Sequence, residues 1–338
     1  MKLRSFPAKS LISLTAAGSL AFAIGWRQGP DPISRLEVLL CNPLLNQLEM
    51  ENTWAAARAV GARGIEVHVE PDLSCSNLYL GGETPYRLDT QENAWKLRTD
   101  AIRNEIRIPV LVAPIRLDPA EAKTTGAPPW AMTLLENAPH VDAELVYFPI
   151  VTDNFLETTI SDDEFVEAAV FVLNDLVGQG ARHRISVGIE NLSVYWNRPE
   201  ILRQVLGQFD PDELGLCLDP INFYWYGHPR SVVYEMVEEF LPRTIHFHAK
   251  NLGYPPDSVE TRRTPGWRYG EHAVPVADGD LDFERFIRQL LDSGYEGYIS
   301  VEDDSLGRVP VEQRLDVLKA DVAFLHRVIQ GFLGRPGS

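Results

Sequence analysis

The chain has 338 residues, of which 45% are hydrophobic, and this is enough to bury the core of one large domain or two small ones. Its formal net charge of −17 argues against a nucleic-acid partner, because proteins bind phosphate backbones mainly through Lys and Arg. The cysteines Cys41, Cys75 and Cys217 are odd in number and follow no ligand spacing, so we expect three buried free thiols.

The first 34 residues have the pattern of an extension that precedes the folded domain. Residues 1–10 contain three basic residues and no acidic one, and residues 11–24 carry no charge. Ala21-Phe22-Ala23 would serve as a cleavage site for an export signal. We therefore favour an exported or periplasmic protein slightly over a cytoplasmic one. A retained N-terminal helix or anchor and a misplaced start codon are the alternatives, and the folded domain is expected to span residues 35–334.

Taken in chain order, the remaining sequence alternates strand and helix patterns. The predicted strands cover residues 36–41, 64–69, 109–115, 143–151, 185–190, 214–219, 244–251 and 298–302. The predicted helices cover residues 45–62, 90–105, 130–137 and 162–179, the segment after Pro199, and residues 229–241, 281–292 and 311–332. No Gly-rich dinucleotide fingerprint follows the first strand. The pattern therefore predicts an α/β fold of the (β/α)8 TIM-barrel type in one domain.

Four of the predicted strands carry a possible metal ligand at or near their C-terminal ends. The ligands are Glu190, Asp219, His248 and Glu302, and each lies in phase with the polar or small residues of its strand. Successive side chains of a strand point to opposite faces, so all four are expected to point away from the apolar face. Active sites of parallel barrels lie at the C-terminal ends of the strands. Three carboxylates and one imidazole suit Mn²⁺, Mg²⁺ or Co²⁺, with Zn²⁺ as a further possibility.

These segments resemble the metal-ligand strands of the xylose isomerase-like barrels, the sugar phosphate isomerase/epimerase superfamily. The resemblance covers residues 36–330 and rests on four motifs in the family's order, which are VGIEN with Glu190, GLCLDP with Asp219, HFHAKN with His248 and GYISVE with Glu302. It implies a TIM barrel in which these four residues bind one divalent ion, with Mn²⁺ as the first choice.

The resemblance also implies a metal-dependent sugar isomerase or epimerase. In related epimerases two glutamates, here Glu190 and Glu302, exchange the proton next to a carbonyl through a metal-stabilised enediolate. The chain departs from the family at one motif, Asp-x-x-His, where it has Asn222 in place of the histidine. Unlike a histidine, the amide of Asn222 does not titrate near neutral pH. This departure supports the alternative of a lyase or dehydratase acting on an oxidised sugar or an inositol-type substrate. A non-catalytic sugar-binding barrel and a DNA-repair endonuclease are less favoured.

Four further residues are candidates for substrate binding. Asn222 can hydrogen-bond a substrate hydroxyl, and His68 is either a substrate contact or an inward structural residue. His246 lies one strand-pair step below His248 and is either a core residue or a site residue. Lys250 either binds an oxyanion or a phosphate, or pairs with a barrel carboxylate. The expected partners are a small-molecule carbohydrate, possible copies of the same chain in a homo-oligomer and a possible small accessory subunit, with no nucleic acid.

The segment between the seventh strand and the next helix is unusually long for a barrel loop. It covers residues 252–279 and is rich in proline, arginine and aromatic residues. Loops of this length at the mouth of a barrel usually shape or cover the substrate pocket. We therefore expect a functional loop, with an inert surface excursion as the alternative.

Overall fold

The structure is a computed structural model, and it describes residues 36–75, 78 and 86–333. The extension predicted for residues 1–34, its cleavage site and the expected domain limits at residues 35 and 334 lie outside these ranges. Within them, no helix is both long enough and apolar enough to cross a lipid bilayer.

Eight parallel strands close into a barrel, in the order β1-β8-β7-β6-β5-β4-β3-β2 around the ring. The strands are β1 (Glu37–Cys41), β2 (Gly64–His68), β3 (Arg107–Val112), β4 (Leu145–Phe148), β5 (Ser186–Glu190), β6 (Gly215–Leu218), β7 (Thr244–Ala249) and β8 (Tyr298–Val301). Most strand residues are buried, because helices cover the outer face and the inner face fills the barrel. The closed barrel confirms the predicted (β/α)8 fold.

The helices surround the barrel and also form short turns at its mouth. They are α1 (Asn42–Asn46), α2 (Thr53–Val60), α3 (Gln91–Arg103), α4 (Pro119–Thr125), α5 (Pro129–Asn137), α6 (Asp162–His183), α7 (Ser193–Trp196), α8 (Pro199–Leu206), α9 (Pro220–Trp225), α10 (Arg230–Phe240), α11 (Tyr269–His272), α12 (Phe283–Asp292) and α13 (Val311–Leu333). Each of the eight barrel strands is followed by at least one of these helices, as the alternation predicted.

One predicted helix, residues 45–62, is wrong, because the chain forms α1 and α2 there instead. The Asn52 side chain accepts a hydrogen bond from Ala55 N, and this cap begins a new helix. Gly61 ends α2 in the left-handed conformation, with φ 88°, which a glycine adopts without strain.

Two predicted strands also end early, each just before a proline. β3 stops at Val112 and β4 at Phe148, and the chain then passes through Pro114 and Pro149. Proline has no N–H to donate to the ladder. The chain resumes pairing beyond the prolines as the short parallel strands Ile115–Arg116 and Ile150–Val151. They extend the barrel wall at the mouth.

The long segment after β7 is packed onto the barrel and is not a free excursion. Its ends pair as the antiparallel strands Asn251–Leu252 and Ala273–Val274. Arg263 stacks over the rings of Tyr224 and Tyr254, with its guanidinium carbon 4.4 and 4.3 Å from the ring centres. The segment is thereby attached to α9, the helix that carries Asn222.

A buried pair of carboxyl groups connects α13 to the loop after β8. Asp321 accepts a hydrogen bond from Val276 N at 2.9 Å, and Asp303 accepts one from Ser305 N at 2.8 Å. Burial raises the pKa of Asp321 to about 8, and the charge of Asp303 adds to this rise. Near neutral pH the Asp321 carboxyl therefore keeps its proton, next to the charge of Asp303. This contact holds the chain immediately after Glu302.

We expect the Asp303–Asp321 pair to make the fold less stable as pH rises. The folded chain holds the proton of Asp321 up to about pH 8, whereas the unfolded aspartate loses it near its ordinary value of 3.8. The stability that this proton contributes is therefore complete at low pH and is lost between these values, by up to about 1.4 kcal/mol per pH unit. Asp321→Asn can still accept the hydrogen bond from Val276 N but has no titrating group, so its unfolding free energy should fall less steeply with pH in urea titrations. Parallel curves for the two proteins would contradict this.

Candidate metal and active site

Four of the strands bring one ligand-type side chain each to the C-terminal mouth of the barrel. Glu190 is the last residue of β5, Asp219 follows β6, His248 lies near the end of β7 and Glu302 follows β8. One ligand atom from each residue lies within 4.8 Å of all the others. Glu190, Asp219 and His248 are buried, and the Glu302 side chain is 26% exposed. The four predicted ligand residues therefore form one compact cluster.

The ring of His248 points one nitrogen into this cluster. Its Nδ1 lies 3.1 Å from Glu302 Oε2, 3.7 Å from Glu190 Oε1 and 3.8 Å from Asp219 Oδ2. In the described part of the chain this buried Nδ1 makes no hydrogen bond of normal geometry. A buried nitrogen without a hydrogen-bond partner that faces three carboxylates has the arrangement of a metal ligand, because a cation would satisfy all four groups.

The carboxylate of Asp219 is held so that one oxygen remains for the cluster. Asp219 caps α9, and its Oδ1 accepts hydrogen bonds from Ile221 N at 2.8 Å and Asn222 N at 3.3 Å. The Asn191 side chain binds both backbone atoms of Asp219, accepting from its N and donating to its O at 2.8 Å each. Oδ2 is buried and faces the cluster. Asn191 was not predicted as a site residue, although it directly follows Glu190 in the VGIEN motif.

Lys250 supplies a positive charge to the cluster. Its ammonium lies 2.9 Å from Asp219 Oδ2 and 2.8 Å from Glu302 Oε2, with Asp304 at 3.7 Å. Lys250 therefore pairs with barrel carboxylates, and its other predicted role, binding of an oxyanion or a phosphate, stays a prediction. Although burial lowers the pKa of Lys250, Asp219 and Glu302 raise it well above its ordinary value.

The two glutamates differ in their affinity for a proton. Burial raises the pKa of Glu190 to about 8, against the opposing charge of His248. Burial would also raise the pKa of Glu302, but Lys250 and His248 hold it well below its ordinary value. Environments that push two carboxyl pKa values apart are typical of acid–base pairs.

The remaining substrate-binding candidates occupy different places. The Asn222 amide donates to Glu190 Oε1 at 3.0 Å, next to the cluster. The His68 side chain, at the end of β2, is 30% exposed, and its Nε2 lies 3.8 Å from Glu66 Oε1. His246 is fully buried below the cluster, where it contacts Glu66 and Ser300. His246 is therefore a residue of the barrel interior, and its role in substrate binding stays a prediction.

A fully buried carboxylate, Glu66 on β2, lies beneath the cluster. Its oxygens accept hydrogen bonds from Tyr147 and His246 at 2.7 Å each and lie 3.2 Å from His248 Nε2. Although burial alone would raise the pKa of Glu66, the two histidines hold it well below its ordinary value. Glu66 lies two positions before His68, so the alternation of β2 places it on the inward face but gives no indication of these partners.

Two other groups of possible ligands occur in the same interior. They are Cys217, His246 and His248 in one group, and Cys41, Glu66 and His248 in the other. All three cysteines are buried and free, as predicted. Burial raises the pKa of Cys41 and of Cys217, so in the metal-free protein both are neutral thiols and an ion would have to displace their protons. The cluster at the mouth is the better cation site.

The solved structures that resemble this chain include proteins with several activities. An E. coli 3-keto-D-glucoside 4-epimerase, YcjR, is 13% identical with a TM-score of 0.57, and covers 86% of this chain and 98% of its own. The probable 3-DHS dehydratase AsbF of Bacillus anthracis is 15% identical with a TM-score of 0.56 and the same coverage. A xylose isomerase-like TIM barrel protein of Mycobacterium smegmatis, solved with magnesium, is 16% identical with a TM-score of 0.62, covering 83% and 88%. At these identities the likeness is one of fold.

The sequence comparisons identify the family. The uncharacterized protein MJ1311 of Methanocaldococcus jannaschii is 25% identical over 182 residues, which is 51% of this chain and 55% of that protein. The chain thus spans about half the length of the curated relatives it matches. The profile of the family described as xylose isomerase-like TIM barrel matches residues 54–328, which is most of the sequence. The chain belongs to the xylose isomerase-like TIM barrel family.

Proposed function

We propose that this chain is a divalent-metal-dependent isomerase or epimerase that acts on a sugar or an oxidised sugar. The observation that carries the proposal is the convergence of Glu190, Asp219, His248 and Glu302, with ligand atoms within 4.8 Å of one another. The buried Nδ1 of His248, which has no hydrogen bond in the described structure, faces the three carboxylates and fits a cation. Mn²⁺ is our first choice, because the donor set is mostly oxygen.

A divalent ion held by these residues would supply Lewis-acid stabilisation of the negative charge that develops on a carbonyl oxygen. The proton itself must be moved by side chains of this chain. Glu190 and Glu302 are the candidates, because both carboxylates lie in the cluster and their proton affinities differ. If one glutamate removes the proton and the other returns it to the opposite face of the same carbon, the product is an epimer. If the proton returns to the neighbouring carbon, the product is an isomer.

One contact supports a lyase or dehydratase as the second candidate. Asn222 replaces the histidine of the family's Asp-x-x-His and donates to Glu190 Oε1 at 3.0 Å. The amide orients Glu190 but offers no titrating group of its own. Elimination of a group β to a carbonyl requires proton removal by one carboxylate and a route for the leaving group. Loss of water from the substrate, in place of rearrangement, would identify this reaction.

Lys250 already places one positive charge in the cluster. Its ammonium is buried between Asp219 and Glu302, so the cluster already requires a positive charge to offset its carboxylates. Removing one partner of a buried ion pair leaves the other charge uncompensated. A divalent ion bound in the cluster would also compensate the charge of these carboxylates, but the ammonium repels such an ion. Removing the ammonium should therefore strengthen binding of the ion.

We predict that Lys250→Met destabilises the metal-free protein by about 3 kcal/mol, because two buried carboxylates lose their counter-charge. Adding Mn²⁺ should then raise the melting temperature of the variant more than that of the wild type. Thermal unfolding with and without Mn²⁺ measures both effects.

Lys123→Met provides the matched control. Lys123 pairs with Glu167 at the surface, where an ion pair contributes at most about 1 kcal/mol. Wild-type stability of metal-free Lys250→Met, or a smaller response to Mn²⁺ than in the wild type, would contradict the proposed charge balance.

We predict that Glu302→Gln abolishes proton exchange at the carbon next to the substrate carbonyl. The amide keeps an oxygen for the ion but cannot accept the proton. The measurement is deuterium incorporation, followed by NMR, from D2O into a panel of ketoses, 3-oxo-sugars and oxidised (keto) inositols in the presence of saturating Mn²⁺. Products formed in the same samples distinguish rearrangement from elimination.

Glu144→Gln is the matched control for this experiment. Glu144 precedes β4, at the opposite end of the barrel, and pairs with Arg107 at 2.9 Å. This variant should exchange the substrate proton as the wild type does. If metal-loaded Glu302→Gln keeps wild-type exchange, Glu302 is not the proton carrier.

A further inference from the structure

The interior below the metal cluster contains one carboxylate with several donors directed at it. Glu66 is fully buried, and its Oε1 accepts from the Tyr147 hydroxyl at 2.7 Å and contacts Cys41 Sγ at 3.4 Å. Its Oε2 lies 2.7 Å from His246 Nε2 and 3.2 Å from His248 Nε2. An ionised carboxylate can only accept hydrogen bonds, so each of these contacts requires a proton on the partner.

These contacts determine which ring nitrogen of His248 carries a proton. The Nε2 of His248 contacts Glu66 Oε2 and, at 3.1 Å, the Tyr147 hydroxyl. The single Tyr147 proton is used in the shorter bond to Glu66, so this hydroxyl can only accept from His248. An unprotonated Nε2 would therefore face lone pairs on both sides. His248 must carry its proton on Nε2, and in the neutral ring the lone pair is on Nδ1.

The orientation of the ring completes the argument. With Nε2 directed at Glu66, Nδ1 is directed at the carboxylates of the metal cluster, 3.1 Å from Glu302 Oε2. The ring of Tyr147 meets the His248 ring edge to face, with centroids 5.8 Å apart, which limits rotation of the imidazole. The same residues thus set both the tautomer and the direction of the ligand.

We propose that Glu66 is a positioning residue, which holds His248 in the Nε2–H tautomer and presents the Nδ1 lone pair to the metal ion. The metal part of this inference rests on the proposed function, whereas the direction of Nε2 toward Glu66 and Tyr147 follows from the contacts alone. Carboxylate partners of metal-bound histidines fix the ring and increase its basicity. Glu66 is remote from His248 in sequence, and only closure of the barrel brings the two residues together.

The test is Glu66→Gln, which has nearly the same shape. A glutamine offers one acceptor oxygen and one donor nitrogen, so it cannot accept from both Tyr147 and the histidines. The Nδ1–H tautomer of His248 should become populated, and the affinity for Co²⁺, titrated through its visible absorption, should fall about 10- to 100-fold. Ring-¹⁵N NMR reports the tautomer directly, with the His248 signals assigned by their loss in His248→Ala.

Two further variants keep the test decisive. If Glu66→Gln does not fold, Tyr147→Phe takes its place. This variant retains the ring but removes the hydroxyl that contacts Glu66 and His248, so its affinity for Co²⁺ should also fall. Cys41→Ala removes a neighbour of Glu66 that makes no hydrogen bond with His248 in the described structure. This variant should leave the affinity for Co²⁺ unchanged. Loss of Co²⁺ from Cys41→Ala would place the ion at the buried thiol and overturn the proposal.

The outcomes also separate this inference from the proposed function. Wild-type Co²⁺ affinity and a retained Nε2–H in folded Glu66→Gln would overturn the positioning role. A wild-type protein that binds no Co²⁺ would remove the metal site and with it the proposed function. In that case the ¹⁵N spectra still decide whether Glu66 sets the tautomer of His248.

Discussion

The structure depends on how three carboxylates are kept together at the mouth of the barrel. Glu190, Asp219 and Glu302 come from different strands, and their ligand atoms lie within 4.8 Å of one another and of His248. Such a group of negative charges is unfavourable away from water unless positive charge lies nearby. Lys250 provides one positive charge, and the Nδ1 of His248 marks the place where a cation would complete the balance.

The carboxylates and His248 form an upper layer at the mouth of the barrel. Beneath it lies a second layer of residues that orients their side chains. Glu66 receives hydrogen bonds from Tyr147 and His246 and contacts His248 from below, while Asn191 holds the backbone of Asp219. The upper layer has the residue types for metal-assisted proton transfer. The lower layer gives the ligands a defined direction, which metal catalysis requires as much as the ligands themselves.

Period-two alternation was sufficient to predict the barrel and the convergence of the four ligand residues, because each strand shows its inward face in its own sequence. The contacts of Glu66 could not be predicted in this way. Its pairing with His248 joins residues 182 positions apart and arises only when the barrel closes. Residues 45–62 divide into two helices because the Asn52 cap outweighs the apolar spacing. His246 has the same inward phase as His248, but depth in the barrel, which alternation does not encode, separates their roles.

The central claim is that the four-strand cluster binds a divalent ion, and metal stoichiometry tests it most directly. Elemental analysis of protein purified without chelator and supplied with Mn²⁺ should find about one ion per chain in the wild type. The Asp219→Ala and His248→Ala variants should each lose it, because each removes one ligand of the cluster. A wild type without bound metal, or variants that retain the wild-type content, would contradict the account.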